Sequence, residues 1–416
     1  MIKVNMNNIE YIKQEHRKYI KDNVERRLNL YSIFNNSNNK VANFIVNVLY
    51  KDLYHITLEE LNFEYIKKID KEYQNIKEKK IIDYVNEQEI KKALNKIKAY
   101  LDGLNEKNGI NEKENLKKVF KDIKISTLEK IDLSNLNNIN FERKDEIIDN
   151  MNMIINFLET EIKNKNQEYY TLNQIINDIF DYQKFSNREI GSWGRRKLIY
   201  SMNVGSCPYC NINDIKSYFK DDYEKITADL DHFLCKKEYP YLAVSIYNFI
   251  PSCSICNSRL KGSKNFLDEY QMYVFPLKEE FGKDAVFRTC FNENSDLDFI
   301  LGNNLNFDIN IEVKTKDDKK RKRIENSIKT FDLNERYSNY KEVVRDIIKK
   351  MYIYNDYEIN QILRAFDLFE DNKNAREKEA EIKKLIFGFD FNRNNLSDKS
   401  LSKLILDIFE EFNLKY

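Results

Sequence analysis

The sequence predicts a mainly α fold, with helical N- and C-terminal regions around a small central module of irregular and extended backbone. Three observations carry this. Of 416 residues only 9 are Gly and 4 are Pro, far below the roughly 12% these two contribute on average. Over most of the chain, apolar residues recur at three- and four-residue steps. All four prolines (Pro208, Pro240, Pro251, Pro276) and six glycines (Gly191, Gly194, Gly205, Gly262, Gly282, Gly302) fall in or beside one window, about residues 190 to 310, with all six cysteines. Turn formers mark non-helical backbone, so the chain divides into a helical region 1–186, a central module 187–275 and a region 276–416 in which a small β-hairpin precedes further helices.

The helical elements follow in order. His16 lines up with Ile12 and Tyr19, and His55 follows Tyr54, so both early histidines read as packing or surface residues rather than ligands. Ile147, Met151, Ile154, Ile155, Leu158 and Ile162 form one helical stripe. Thr171 is placed to cap a helix carrying Leu172, Ile175, Ile176, Ile179 and Phe180. Beyond the central module, Leu297, Phe299 and Leu301 alternate with polar residues. Gly302-Asn303-Asn304 turns the chain, and Leu305, Phe307, Ile309, Ile311 and Val313 alternate again, a hairpin signal. A basic run containing Lys314, Lys316, Lys319, Lys320, Arg321, Lys322 and Arg323 reads as a solvated helix start or as a phosphate-contacting patch. Leu401, Leu404, Ile405, Ile408 and Phe412 close the chain as a last amphipathic helix.

Bulk composition excludes several classes. A 42% hydrophobic content with 27 Tyr and 26 Phe is ample for a core, and no run approaches the ~20 apolar residues of a membrane helix. The start lacks the basic and apolar regions of a secretory signal, so a cytoplasmic location is expected. With 69 basic against 68 acidic residues, no global field favours a nucleic-acid partner. The central module is itself only mildly basic. There is no Gly-x-x-x-x-Gly-Lys-Ser/Thr loop for nucleotide phosphates.

Chemistry concentrates in the central module. Cys207-Pro-Tyr-Cys210 and Cys253-Ser-Ile-Cys256 are two C-x-x-C knuckles with 42 residues between them. In a reducing compartment such a pair points to metal, and four thiolates suit tetrahedral Zn²⁺ in a closed, structural site. One shared site explains two matched pairs better than a redox role does. The long spacer implies a folded unit between the knuckles, and structural zinc can supply about 10 to 16 kcal/mol to such a module. Cys235 and Cys290 are left over as buried or unreactive thiols. Within the spacer lies Asp229-Leu230-Asp231-His232, holding the only histidine after His55. An imidazole suits a general base near neutral pH, and a neighbouring carboxylate suits a hard cation. A structural Asp-His pair at a turn is the alternative.

Taken with Tyr247-Asn248-Phe249-Ile250-Pro251 and Cys253-x-x-Cys256-Asn257-Ser-Arg259-Leu-Lys261-Gly262, this order of motifs resembles the HNH endonucleases, the ββα-metal nuclease superfamily. The resemblance covers about residues 205 to 265 and leaves the helical flanks unaccounted for. It implies a zinc-stabilised ββα-metal module, with Asp231 as first catalytic-metal ligand, His232 as the base that activates water, Asn248 as the brace of the loop holding that base, and Asn257 as second metal ligand. Where family members with two histidines in the final helix carry an imidazole, this chain has Lys261, so oxygen ligands and water favour Mg²⁺ or Mn²⁺ over a second Zn²⁺. Lys261 is then a candidate phosphate contact, or a solvated helical lysine. Arg259, Arg195 and Arg196, with Lys197, are further candidate nucleic-acid contacts, or solvated basic residues. Asp229 shares a strand face with Asp231, and Trp193 reads as a packing anchor. Asn257, fixed by its neighbour Cys256, is expected to open a helix whose free N–H groups face a phosphate.

The expected activity is therefore metal-dependent hydrolysis of DNA phosphodiester bonds. The layout is similar to HNH proteins of bacterial anti-phage defence, Septu-like and retron-associated, some of which act with an ATPase partner. The alternatives are an HNH ribonuclease acting for example on tRNA, and a non-catalytic zinc-ribbon adaptor that binds nucleic acid or a partner.

Overall fold

The computed structural model describes residues 1–6, 8–35, 38–80, 87–106, 144–163, 170–189, 191–220, 223–264, 266, 273–291, 293, 295–366, 375–389 and 391–412. The described residues are mainly helical, with three two-stranded antiparallel sheets among them. None of the described helices is long and apolar enough to cross a membrane. The chain forms two units: Glu10–Asn187 with Lys236–Asn248, and Met1–Ile9 with Arg188–Cys235 and Phe249–Tyr416. The stretch between the knuckles is thus shared between units, the chain leaving the second after Cys235 and re-entering it at Phe249.

In the first unit the sequence patterns become helices for local reasons. Thr171 accepts from the Gln174 amide and donates its own amide to the Gln174 side chain, a reciprocal cap that starts Leu172–Ile179. Leu172, Ile175, Ile176 and Ile179 then fall on one buried face. Met151, Ile154, Ile155 and Leu158 are buried, where the helix Lys144–Lys163 packs on Glu87–Glu106. Each such side chain contributes about 1.5–3 kcal/mol on burial. The side chains of Ile147 and Ile162 lie outside the described residues.

His16 is a core residue. It is fully buried, stands edge-on to Phe185 at 5.3 Å, and donates Nε2–H to the Val244 carbonyl at 2.7 Å. That bond ties Lys236–Asn248 into the helical unit. His55 is exposed beside Tyr65.

The second unit holds the sheets. β1 (Ser217–Lys220) pairs with β2 (Tyr223–Ile226), and β3 (Asp229–His232) pairs with β4 (Phe249–Ser252), Asp231 opposite Ile250 and His232 opposite Phe249. A helical turn, Ile255–Lys261, follows β4 directly. β5 (Ala285–Cys290) pairs with β6 (Asp308–Val313). This corrects the expected hairpin. Leu297–Leu301 is a short 3₁₀ turn, not a strand, and the partner of β6 is β5. The cause is local: Asp296 accepts from the Asp298 amide and from Asn304 Nδ2, and these side-chain bonds outcompete a ladder.

The basic run opens the helix Asp318–Thr330, capped by Asp317. Lys320 pairs with Asp284, Arg323 with Glu279, and Arg321 donates to the Thr315 carbonyl, so these three charges fold onto their own unit. The last helix, Ser402–Phe412, buries Leu404, Leu406, Ile408 and Phe409 and packs on β5 and on Lys341–Ile353.

Burial keeps the His16 imidazole neutral, its pKa lowered from 6.5 to about 4. Unfolding lets it take up a proton, so stability present above pH 6.5 is lost as the pH falls toward 4, by about 3 kcal/mol. Urea unfolding from pH 7.5 to 4.5 should show this loss, and His16→Gln, which retains an N–H donor, should flatten that part of the profile.

Candidate metal centre and adjoining carboxylates

Cys207, Cys210, Cys253 and Cys256 converge with all four sulfurs within 4.8 Å of one another, and all four are buried. None of the six cysteines is disulfide-bonded. A tetrahedron of 2.3 Å Zn–S bonds has edges of about 3.8 Å, so the group is sized for one ion held by sulfur. The four cysteines form a site able to hold a structural metal such as zinc.

Local backbone explains the convergence. Asn211, directly after the first knuckle, takes the left-handed conformation (φ 53°), which Asn tolerates. The Ile212 amide is 3.4 Å from the Cys210 sulfur and donates to it. Gly205, two residues before Cys207, lies so close to another loop that an added Cβ would stand 2.2 Å from the Asp398 carbonyl oxygen. In the second knuckle the Asn257 amide returns to the Cys253 carbonyl at 3.0 Å. The helical turn starts at Ile255, so Asn257 lies inside it rather than opening it, and its own amide is not free for a phosphate.

Two side chains from the helix Leu333–Ser338 clasp the centre, and sequence reasoning identified neither. Arg336 donates Nη1–H to the Cys256 sulfur at 3.3 Å and Nη2–H to Asn213 Oδ1 at 3.4 Å. The Tyr337 hydroxyl donates to the Cys210 carbonyl at 2.6 Å. Burial works against the Arg336 charge, but Cys210 and Cys256 outweigh it and hold the guanidinium above its ordinary pKa. Hydrogen bonds from Cys207, Cys253 and Cys256 push Cys210 well below the usual thiol range, with Arg336 adding to the effect. Thiolate ligands supply negative charge that the half-buried Arg336 guanidinium balances.

The carboxylates of β3 lie beside this centre. Alternation along a strand turns Asp229 and Asp231 to one face and His232 to the other. Asp231 is buried, with the Tyr209 hydroxyl donating to Oδ2 at 2.6 Å and the Lys261 ammonium to Oδ1 at 2.9 Å. Lys261 is equally buried and donates also to the His232 carbonyl at 2.6 Å. Lys261 is thus not the exposed cation that a phosphate contact or a solvated lysine would be. Asn257 donates Nδ2–H to Asp229 Oδ2 at 3.2 Å, and both residues are half-buried. His232, buried, meets Phe249 edge to face at 5.1 Å. Asp231, Asp229, Asn257 and Lys261 are therefore gathered on the strand and helical turn. Among the described residues, only the four cysteines form a group of three or more His, Cys, Asp or Glu ligand atoms.

The remaining candidates are placed as follows. Asn248 belongs to the helical unit, where it is buried and donates Nδ2–H to the Leu242 carbonyl at 3.2 Å, closing its own turn. Arg259 is exposed. Arg195 and Arg196 begin the helix Arg195–Met202 and are half-buried, while Lys197 donates to the Gly191 carbonyl. Trp193 is buried, as a packing anchor should be. Cys235 and Cys290 are half-buried rather than buried.

Compared with protein-family models, curated proteins and solved structures, the chain matches none.

Replacing Arg336 by Met should remove the balancing charge while keeping the stem. In chelator competition the variant should hold zinc about tenfold more weakly than the unaltered protein, as loss of an outer-shell partner does. Arg336→Lys should fall between the two.

Proposed function

We propose that the chain is a metal-dependent HNH endonuclease that hydrolyses phosphodiester bonds in DNA. One observation carries the reading: β3, β4 and the helical turn follow one another as strand, strand and helix, and Asn257 of the turn bonds to the carboxylate of Asp229 on β3, next but one to Asp231. Hard oxygen donors on β3 and the helical turn, close in sequence to the only late histidine and on a frame carrying four cysteines, fit a hydrolytic site.

In this proposal a bound Mg²⁺ or Mn²⁺ supplies Lewis-acid polarisation of the scissile phosphate. Asn257 and the Asp229 carboxylate of β3 are the residues that would hold it, their oxygens suiting a hard cation. His232 takes a proton from the attacking water at an imidazole nitrogen. The cysteine centre fixes Asn257 through its neighbour Cys256, so the two sides of the site need no reorganisation at the moment of reaction.

A second reading has its own observation. Both oxygens of Asp231 are engaged by Tyr209 and Lys261, an arrangement suited to a zinc-stabilised adaptor that binds nucleic acid or a partner without cutting. The two readings diverge at His232.

Plasmid DNA and total RNA incubated with the purified protein, with Mg²⁺, with Mn²⁺ or without added divalent cation, should show cation-dependent loss of DNA. His232→Ala should cut about 10² to 10⁴-fold more slowly while retaining zinc and an unchanged circular dichroism spectrum. Loss of RNA instead would make the protein a ribonuclease. Equal cutting by the variant removes His232 from the chemistry, and cutting by neither protein favours the adaptor.

A further inference from the structure

Asp231 is the carboxylate that the motif order marks as a metal ligand, yet its surroundings are those of a finished ion pair. The Lys261 and Asp231 side chains are 1% and 4% exposed and 2.9 Å apart. Lys261 has three N–H donors, and three groups receive them. Asp231 Oδ1 takes one at 2.9 Å and the His232 carbonyl another at 2.6 Å. The Phe266 ring, its centroid 5.2 Å from Nζ, faces the ammonium as a cation–π partner. On the other side, Asp231 Oδ2 accepts from Tyr209, whose ring stacks on Phe331 at 4.6 Å.

These residues come from three places that matter. Tyr209 lies inside the first knuckle, between Cys207 and Cys210, and Lys261 ends the helical turn that carries Cys256. Asp231 lies on β3, beside His232. We infer that Tyr209, Asp231 and Lys261 form a cation-independent lock, in which Asp231 is a positioning residue that fixes the main chain of His232 to both cysteine knuckles rather than a ligand of the hydrolytic metal. A divalent cation on Asp231 would displace the ammonium and leave it buried without its counter-charge, the costly half of any buried pair. Asp229 carries no such burden: its carboxylate has Asn257 as partner and, among the described residues, no ammonium or guanidinium.

The role of His232 in this inference rests on the nuclease reading, whereas the lock itself does not. The protein is prepared with its zinc as Asp231→Asn, Lys261→Met, the double variant and Asn257→Ala. A double-mutant cycle by urea unfolding comes first. Each single change of the pair should lower the unfolding midpoint, and the double variant should recover most of the loss, because removing both charges leaves none unpaired. Losses that simply add overturn the lock.

Mn²⁺ titration by calorimetry comes second. The double variant, which keeps the test open should Asp231→Asn fold poorly, should bind Mn²⁺ within about twofold of the unaltered protein, as expected of a residue that is no ligand, while Asn257→Ala binds at least tenfold more weakly, the lower bound for a lost metal partner. A tenfold loss in the double variant makes Asp231 a ligand and overturns the inference. An unaltered protein that binds no Mn²⁺ defeats the nuclease reading and leaves the lock to the unfolding cycle. In cleavage assays the double variant should lose kcat at near-constant KM, a split that general destabilisation does not produce. Unchanged kcat overturns the positioning role.

Discussion

Four buried sulfurs within 4.8 Å of one another are the constraint on which the rest of the second unit depends. Thiol groups at that spacing, removed from water, have no partner as good as a metal, and a metal there would join two knuckles separated by 42 residues. The residues around β3 are placed relative to that cysteine group. The first knuckle brings Tyr209, the second brings Asn257 and Lys261, and β3 lies against both through Asp231. The helix Leu333–Ser338 closes the far side, Arg336 on a sulfur and Tyr337 on a carbonyl. These short elements meet at one cysteine group and the charged side chains around it.

Those charged groups settle what kind of environment surrounds β3. A buried ammonium and carboxylate contribute little net stability relative to an apolar pair, yet breaking one partner away is expensive. Such pairs therefore specify geometry more than they stabilise it. Here the specified geometry is the path of β3 at His232, because Lys261 grips the carbonyl of that residue as well as the carboxylate of its neighbour. The strand thereby presents two unlike faces, one carrying Asp229 and Asp231 toward the helical turn and one carrying the His232 ring against Phe249.

Much of this was legible in the sequence, and the rest was hidden for physical reasons. The knuckles were legible because ligand spacing within C-x-x-C is local, and the Thr171 cap because a reciprocal cap spans only four residues. The mainly helical fold followed from apolar periodicity. The Leu297–Leu301 segment misled because alternation over five residues also fits a 3₁₀ turn, and the bonds to Asp296 that decide between them are side-chain bonds. Lys261 was legible as a cation but not as a buried one, since its partner Asp231 lies 30 residues away. Arg336, 80 residues from Cys256, carried no local signal at all. Nor did periodicity indicate that Lys236–Asn248, with Asn248, would join the helical unit through His16.

With a metal bound, the cysteine centre is expected to be the origin of order in β3 and the helical turn. Hydrogen exchange by mass spectrometry, with zinc present and after its removal by a chelator, tests this directly. Protection of the amides at 205–215, 229–232, 249–262 and 333–338 should collapse together on zinc removal, while the helix Leu172–Ile179 of the other unit keeps its own. Unchanged protection at 229–232 and 253–261 in the zinc-free protein would contradict it.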